Sequence, residues 1–251
     1  MTGAHNAPVT QLSVRSHKNI MFTFNDIKNI EKKKAAKLLK GSRDPDKVKR
    51  SLIQFYTSLD ENMANIVSTY NIPIECRDGC SYCCLLKVDA RAHEIFSIAD
   101  FINSNFTADE ISSLKDRLRK SADQIAPLTA QEHLVSNIPC GLLVNDSCSV
   151  YALRPSMCRK FHSTSQELCV ASFERPADIT IPSSEDEDLN IAARAAIMGF
   201  EEGLKKSKLD VTIYEINKSL LYALESAEHK QEWRKGKKAF PVDAEAKHSD
   251  F

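Results

Sequence analysis

The chain has 251 residues, 42% of them hydrophobic, so it is long enough to bury a core without help from disulfides. Its 34 basic and 34 acidic residues cancel, so the overall charge does not favour nucleic acid, a membrane surface or an acidic substrate as a partner. No apolar run reaches the length of a signal peptide or of a membrane-spanning helix. We therefore expect a cytosolic (cytoplasmic) protein, in which eight clustered cysteines indicate metal binding more than disulfides.

The N-terminal third of the chain predicts two helices. Residues 1–24 show no periodicity and are expected to form a flexible arm. Asn25 is a candidate cap for the first helix. Asp44 is a cap, and Pro45 suits the first helical position of the next helix. Apolar residues at spacings of three and four then predict one long helix that continues to about Tyr70.

The middle of the chain alternates between helical and irregular patterns. A helix is expected after Asp89, and Thr107 and Glu110 have the spacing of a capping box that opens another. The helical spacing disappears over residues 139–182 and returns from residue 189. Strand signals are sparse throughout.

These patterns predict a mostly α fold. We expect a single helical domain over residues 25–228, in which two irregular cysteine-rich loops converge on a metal site. The metal-binding core is expected at about residues 74–170, and residues 229–251 are predicted to form a flexible tail.

The first loop, CRDGCSYCC at residues 76–84, contains four of the eight cysteines. The spacing of Cys76, Cys80 and Cys83 returns a thiol about once per turn, which lets several sulfurs approach one metal centre. Cys83 and its neighbour Cys84 should diverge, because adjacent side chains point about 100° apart in a helix and about 180° apart in a strand. One of the two is therefore expected to face a second ion or the rest of a cluster.

The second loop supplies the candidates for the other half of the site, which are Cys140, Cys148, Cys158 and Cys169. Two loops with four thiols each predict one shared polynuclear centre or two adjacent sites. The competing interpretations are a strained disulfide between Cys83 and Cys84, or buried thiols without a function.

Taken together, CRDGCSYCC and PCGLLVNDSCSVYALRPSMCRKFHSTSQELC resemble the YkgJ-like cysteine-cluster family, a zinc- or iron-chelating domain described by a CxxCxxCC motif. The family pattern has a glutamate early in the helix after the cluster, which corresponds to Glu94. It also has an R-P-x-x-C-R run, which begins here at Arg154. The first cysteine gap is three residues instead of two, and Gly141 follows Cys140 where proline is common. The resemblance implies zinc or iron ions, or an iron–sulfur cluster, as the cofactor.

The first three cysteines alone also have the spacing seen in radical S-adenosylmethionine enzymes. The long preceding helix and the four downstream cysteines do not fit that resemblance.

Several other side chains are candidates to complete or support the centre. His93 and Glu94 open the helix after the first loop, and His162 follows the second loop's third cysteine, so each is a possible additional ligand or a group that supports one. Arg154 and Arg159 are candidates to offset the negative charge of the thiolates or to bind an anionic substrate.

The sequence therefore predicts a metal-binding protein with a thiolate-rich polynuclear zinc or iron centre. One alternative is a metal-dependent oxidoreductase or group-transfer enzyme that uses an open position on that centre. A second alternative is an adaptor for protein or nucleic acid that is stapled by zinc. The basic residues lack interleaved aromatic side chains, which disfavours nucleic acid. The motifs do not decide whether the chain is an enzyme.

Overall fold

The computed structural model describes residues 23–77 and 79–247. The predicted N-terminal arm therefore lies almost entirely outside the described residues. Within them, ten α-helices and four short strands confirm the predicted mostly α fold.

The helices are α1 (Phe24–Leu39), α2 (Pro45–Tyr70), α3 (Ala92–Asn105), α4 (Ala108–Ile125), α5 (Ala130–Leu134), α6 (Ser156–Lys160), α7 (Gln166–Glu174), α8 (Glu187–Lys206), α9 (Ile216–Glu225) and α10 (Glu228–Arg234). The strands form two small antiparallel pairs, β1 (Asp89–Arg91) with β4 (Ile213–Glu215) and β2 (Leu143–Val144) with β3 (Ser147–Cys148). Short 3-10 turns occupy Tyr82–Leu85, Tyr151–Leu153 and Val242–Ala244.

Capping side chains set several helix boundaries at the positions that the sequence predicted. Asp44 caps α2, because its carboxylate accepts the backbone N–H of Asp46 at 2.8 Å. Thr107 and Glu110 form the expected capping box of α4. The long helix α2 ends at Tyr70, as predicted.

Two local features differ from the prediction. Helix α1 begins before Asn25, because Thr23 and Asp26 form a capping box there. The span 139–182 is also less irregular than expected, since it contains α6 and α7. Helix α7 has no buried residues, and α6 has only five residues in all, so neither produces an apolar stripe that periodicity could detect.

The C-terminal segment packs against the core, which differs from the predicted flexible tail. Trp233 and Phe240 are 2% and 4% exposed, and their ring centroids lie 5.4 and 5.2 Å from that of Phe96 in α3. The backbone N–H of Ala246 donates to the carbonyl of Ile213 at 2.9 Å, which attaches the segment to β4. A few buried apolar side chains hold this segment against the core, and they are too widely spaced in the sequence to form a periodic pattern.

One cluster of buried apolar side chains joins α1, α2, α3, α4, α8 and α9. Helix α1 approaches α8 closely at two glycines. A Cβ added at Gly203 would lie 2.5 Å from the Cβ of Ala35, and one added at Gly199 would overlap the carbonyl oxygen of Lys28. In the part of the chain that the structure describes, no helix has the length and apolar content needed to cross a membrane.

We predict that Gly199→Ala lowers the free energy of unfolding by about 1–3 kcal/mol, because the added methyl group must push α1 away from α8. Urea unfolding followed by circular dichroism measures the change. The control is Met198→Ala, at an exposed neighbouring position of α8, which should change stability by less than about 1 kcal/mol. Wild-type stability in Gly199→Ala would contradict the close approach of the two helices.

Candidate metal centre

All eight cysteines line one cavity of about 350 Å³, and all eight are free thiols. They come from two segments that are separated in the chain by α3, α4 and α5. The segments meet through backbone contact, since the N–H of Cys140 donates to the carbonyl of Cys84 at 2.8 Å. The hydroxyl of Ser81 adds a hydrogen bond to Asp146 at 2.9 Å.

The 3-10 turn Tyr82–Leu85 carries Cys83 and Cys84. We expected the two side chains to diverge, with one of them facing a second ion or the rest of a cluster, and both line the same cavity. Their thiols interact with each other. Hydrogen bonding to Cys84, together with burial, raises the pKa of Cys83 far above the usual thiol value. The tight turn at the cavity edge thus lets adjacent side chains reach one space.

The second segment presents its four cysteines from four different local structures. Cys140 precedes the hairpin of β2 and β3, and Cys148 ends β3 opposite Leu143. Cys158 lies in α6, and Cys169 lies in α7. The segment therefore surrounds the cavity from several sides and does not present all its thiols from one helix face.

Burial raises the pKa of three thiols of the second segment. It raises the pKa of Cys140 far above the usual value and raises that of Cys158 to about 12. Burial also raises the pKa of Cys148, although the nearby Arg154 charge acts in the opposite direction. These thiols are thus neutral at pH 7 when no metal is present, and a bound metal ion has to displace their protons.

The donor set fits zinc or iron. Thiolates are soft ligands that suit zinc, iron and iron–sulfur clusters, and Asp146 is the single carboxylate among the described residues of the wall. Within the described ranges, no group of three His, Cys, Asp or Glu side chains converges as the ligands of one ion would. The sulfurs surround a space instead of a single point.

Glu94, a candidate ligand from the sequence, lies outside the cavity wall. One carboxylate oxygen accepts the backbone N–H of Ser156 at 2.7 Å, its hydroxyl at 2.5 Å and the hydroxyl of Tyr56 at 3.0 Å. Burial opposes the charged form, but the interaction with His93 and the hydrogen bonds from Ser156 and from the backbone N–H of Arg91 outweigh it and lower the pKa of Glu94. The carboxylate therefore fixes the start of α6, two residues before Cys158.

The two candidate histidines are also placed away from the wall. His93 is buried against Phe200, with ring centroids 5.5 Å apart, and burial lowers its pKa to about 4. Both ring nitrogens of His162 have backbone partners. Nδ1 pairs with the carbonyl of Lys160 at 3.0 Å, and Nε2 accepts the N–H of Asp186 at 2.8 Å. The positions of these side chains give no support to ligation.

The two candidate arginines have different surroundings. Arg154 lines the cavity with its guanidinium 4.3 Å from the ring centroid of Tyr151, and its buried Nε has no hydrogen-bond partner among the described residues. Arg159 instead pairs with Asp60 and lies 4.0 Å from the ring centroid of Tyr56. Of these two arginines, Arg154 is the one placed to act on the thiols directly.

Sequence reasoning missed part of the cavity wall. Lys160 lines it while its ammonium contacts Glu185 and Asn190, each at 3.1 Å. Leu142 and Ile216 add apolar surface. The sequence could have indicated Lys160, since it lies in the cysteine motif between the candidates Arg159 and His162. Ile216 lies in α9, far along the chain from the cysteines, and nothing in the sequence indicates that it lines the cavity.

A mostly helical chain with eight free thiols around one cavity has the donor set of a metal-chelating protein. Residues 75–188 match the family model CxxCxxCC, described as "Putative zinc- or iron-chelating domain". This match over residues 75–188 confirms the predicted resemblance to the zinc- or iron-chelating CxxCxxCC domain. The match includes all eight cysteines and ends in the first turn of α8. Comparisons with curated proteins and with solved structures gave no match.

We predict that His93 makes the folded protein less stable below pH 6.5. The unfolded chain binds a proton near pH 6.5, whereas the buried imidazole stays neutral until about pH 4, so the free energy of unfolding falls as pH decreases through this window. The contribution is at most about 1.4 kcal/mol per pH unit. The free energies of unfolding of wild type and His93→Gln are measured in urea from pH 4 to 7. Their difference isolates the contribution of His93, because other titrating groups are common to both proteins. Parallel pH profiles would contradict the prediction.

We predict that Glu94→Ala lowers the free energy of unfolding by about 3–5 kcal/mol, because several buried donors lose their acceptor. Glu94→Gln keeps one accepting oxygen and should cost less. Hydrogen exchange should show the largest loss of protection in α6. A uniform loss over all helices would contradict a specific role of Glu94 at α6. Glu110→Gln, in an exposed capping box, is the control.

Proposed function

We propose that this chain is a metal-binding protein whose cavity holds a polynuclear zinc or iron centre, bound by thiolates from both cysteine segments. The observation that carries the proposal is the meeting of all eight cysteines at one cavity. A tetrahedral ion takes four ligands, so eight thiols support more than one metal ion. The free state of the thiols supports a reducing compartment such as the cytosol.

The surroundings of the cavity support this assignment. The side chains of Leu142 and Ile216 add apolar surface to the cavity, and the cationic side chain of Arg154 offsets the charge of several thiolates. A bound centre of this kind supplies a structural link between segments or, with iron, electron transfer. The protein's contribution is to hold the sulfurs at fixed positions and to limit solvent access.

Metal binding should also contribute to folding. Among the described residues of segment 76–84 none is buried, and the segment 140–169 buries few apolar side chains, among them Leu142 and Val150. These segments gain little from hydrophobic burial, so thiolate–metal bonds are expected to supply part of their stability. The helices retain their own core.

A metal-dependent enzyme is the second candidate. The observation that favours it is Arg154, which lines the cavity beside the exposed ring of Tyr151 without a carboxylate partner among the described residues. An arginine in this position could bind an anionic substrate next to the centre.

We predict more than one thiolate-bound metal ion per chain after anaerobic purification. Elemental analysis gives the stoichiometry. The visible spectrum separates a brown iron–sulfur protein from a colourless zinc protein. Cys148→Ser should lower the metal content, and hydrogen exchange should then show faster exchange in segment 76–84. Val144→Ala, at an exposed position of the paired strand β2 outside the cavity wall, is the control. One ion or none per chain, or four disulfides by mass spectrometry, would contradict the proposal.

A further inference from the structure

Residues 139–141 lead the chain into the second cysteine segment and place Cys140 in the cavity wall. Cys140 is also partly buried against the hydrophobic core, so it lies where the helical frame and the cavity meet. The three residues, Pro139, Cys140 and Gly141, have two backbone N–H groups and three carbonyls, because proline lacks an N–H. Backbone groups that are shielded from water need hydrogen-bond partners, and all five of these groups have one.

The two backbone groups of Cys140 itself have partners in the cysteine segments. Its N–H donates to the carbonyl of Cys84 at 2.8 Å, and its carbonyl accepts the N–H of Leu143 at 3.0 Å. These bonds join Cys140 to the first segment and to the hairpin of β2 and β3.

Side chains of α4 and α9 bind the other three groups. The hydroxyl of Ser121 in α4 donates to the carbonyl that precedes Cys140 at 2.8 Å. Nε of Arg117, one turn earlier in α4, donates to the carbonyl of Gly141 at 3.0 Å. Oδ1 of Asn217 in α9 accepts the N–H of Gly141 at 2.8 Å. The backbone on both sides of Cys140 is therefore tied to two helices of the frame.

The amide of Asn217 is itself held in one orientation. Its Nδ2 donates to Oε1 of Glu215 at 2.7 Å, and its backbone N–H donates to the same oxygen at 2.9 Å. Because a carboxylate only accepts, Nδ2 has to face Glu215, and Oδ1 is left to face Gly141. Asn217 is 3% exposed, so its removal would leave the buried N–H of Gly141 without an acceptor.

Gly141 also meets α4 at a point where there is no room for a side chain. A Cβ added to Gly141 would lie 2.8 Å from Cδ2 of Leu118 and 3.0 Å from its backbone nitrogen. This steric contact and the hydrogen bonds of Arg117 and Asn217 restrict Gly141 from several sides. Because a rigid peptide unit joins Gly141 to Cys140, a displacement of Gly141 moves the Cys140 thiol as well.

We propose that Arg117 and Asn217 are positioning residues of the metal centre, which hold the backbone at Gly141 and so determine where the Cys140 thiolate meets a metal ion. This inference rests on the proposed metal-binding function and adds residues that align one of its ligands. Neither side chain belongs to the described wall of the cavity, so both act through Cys140.

The test measures cobalt(II) binding to the full chain under anaerobic conditions, with the thiolate-to-cobalt absorption band as a measure of the bound sulfurs. Asn217→Ala should weaken binding about tenfold or more and lower the band intensity to that of Cys140→Ser. Arg117→Met should change both quantities in the same direction but less, because Arg117 is partly exposed and water can replace its hydrogen bond.

Two variants of the same helices are the matched controls. Ser219→Ala removes another buried hydrogen bond of α9, and Arg119→Met removes an exposed contact between α4 and α9. Both should retain the affinity and the absorption of wild type.

Combination with Cys140→Ser separates positioning from general support of the fold. When Asn217 acts through Cys140, adding Asn217→Ala to Cys140→Ser should weaken binding no further. An additive loss overturns the inference. Hydrogen exchange of the metal-free protein gives a second readout, since Asn217→Ala should speed exchange over residues 139–144 and leave α1 and α2 protected. Unchanged exchange over residues 139–144 overturns the inference as well.

The remaining outcomes separate the inference from the function on which it rests. A wild-type chain that binds no cobalt, zinc or iron overturns the proposed function and this inference together. Wild-type affinity and absorption in either variant overturn the positioning role of that residue while metal binding stands. Circular dichroism checks folding, and the partly exposed position of Arg117 lets Arg117→Met decide the question if Asn217→Ala does not fold.

Discussion

A single buried carboxylate, that of Glu94, connects the helical frame to the segment that carries Cys158. Helix α6 has five residues, so most of its backbone N–H groups lack partners within the helix and need acceptors from elsewhere. Glu94 accepts hydrogen bonds from the backbone N–H and the hydroxyl of Ser156 at the start of α6, and the hydroxyl of Tyr56 in α2 donates to the same oxygen. Elements α2, α3 and α6 thereby meet at one charge, whose removal would leave several buried donors unpaired.

Other polar side chains around the cavity also join the cysteine segments to the helices. His162 joins the second cysteine segment to the start of α8 by accepting the N–H of Asp186, and Lys160 reaches Glu185 nearby. Arg159 holds the segment against α2 through Asp60. Polar contacts thus give the cysteine segments the fixed geometry that apolar packing gives the helices. Because such contacts are directional, they define where each thiol lies and leave the cavity free of side chains that would fill it.

The sequence revealed the features that are local in the chain. The long helix α2 followed from apolar spacing, and the cysteines stood out by their density. The positions of His93 and His162 could not be derived in this way, because one is determined by burial against Phe200 and the other by a backbone N–H at Asp186. The packed C-terminal segment was missed for a related reason, since its anchor Trp233 meets its partner only in the folded chain.

The course of the chain links formation of the cavity to folding of the helices between the two cysteine segments. Helices α3, α4 and α5 span the distance from Cys84 to Cys140, and the core buries the apolar faces of α3 and α4. Once these helices pack, the entropy cost of bringing the two segments together has largely been met, because the intervening chain is no longer a flexible loop. The segments then need only modest stabilisation from hydrogen bonds and thiolate–metal bonds. A helical frame that folds on its own core can thus carry a cavity whose walls have little apolar surface to bury.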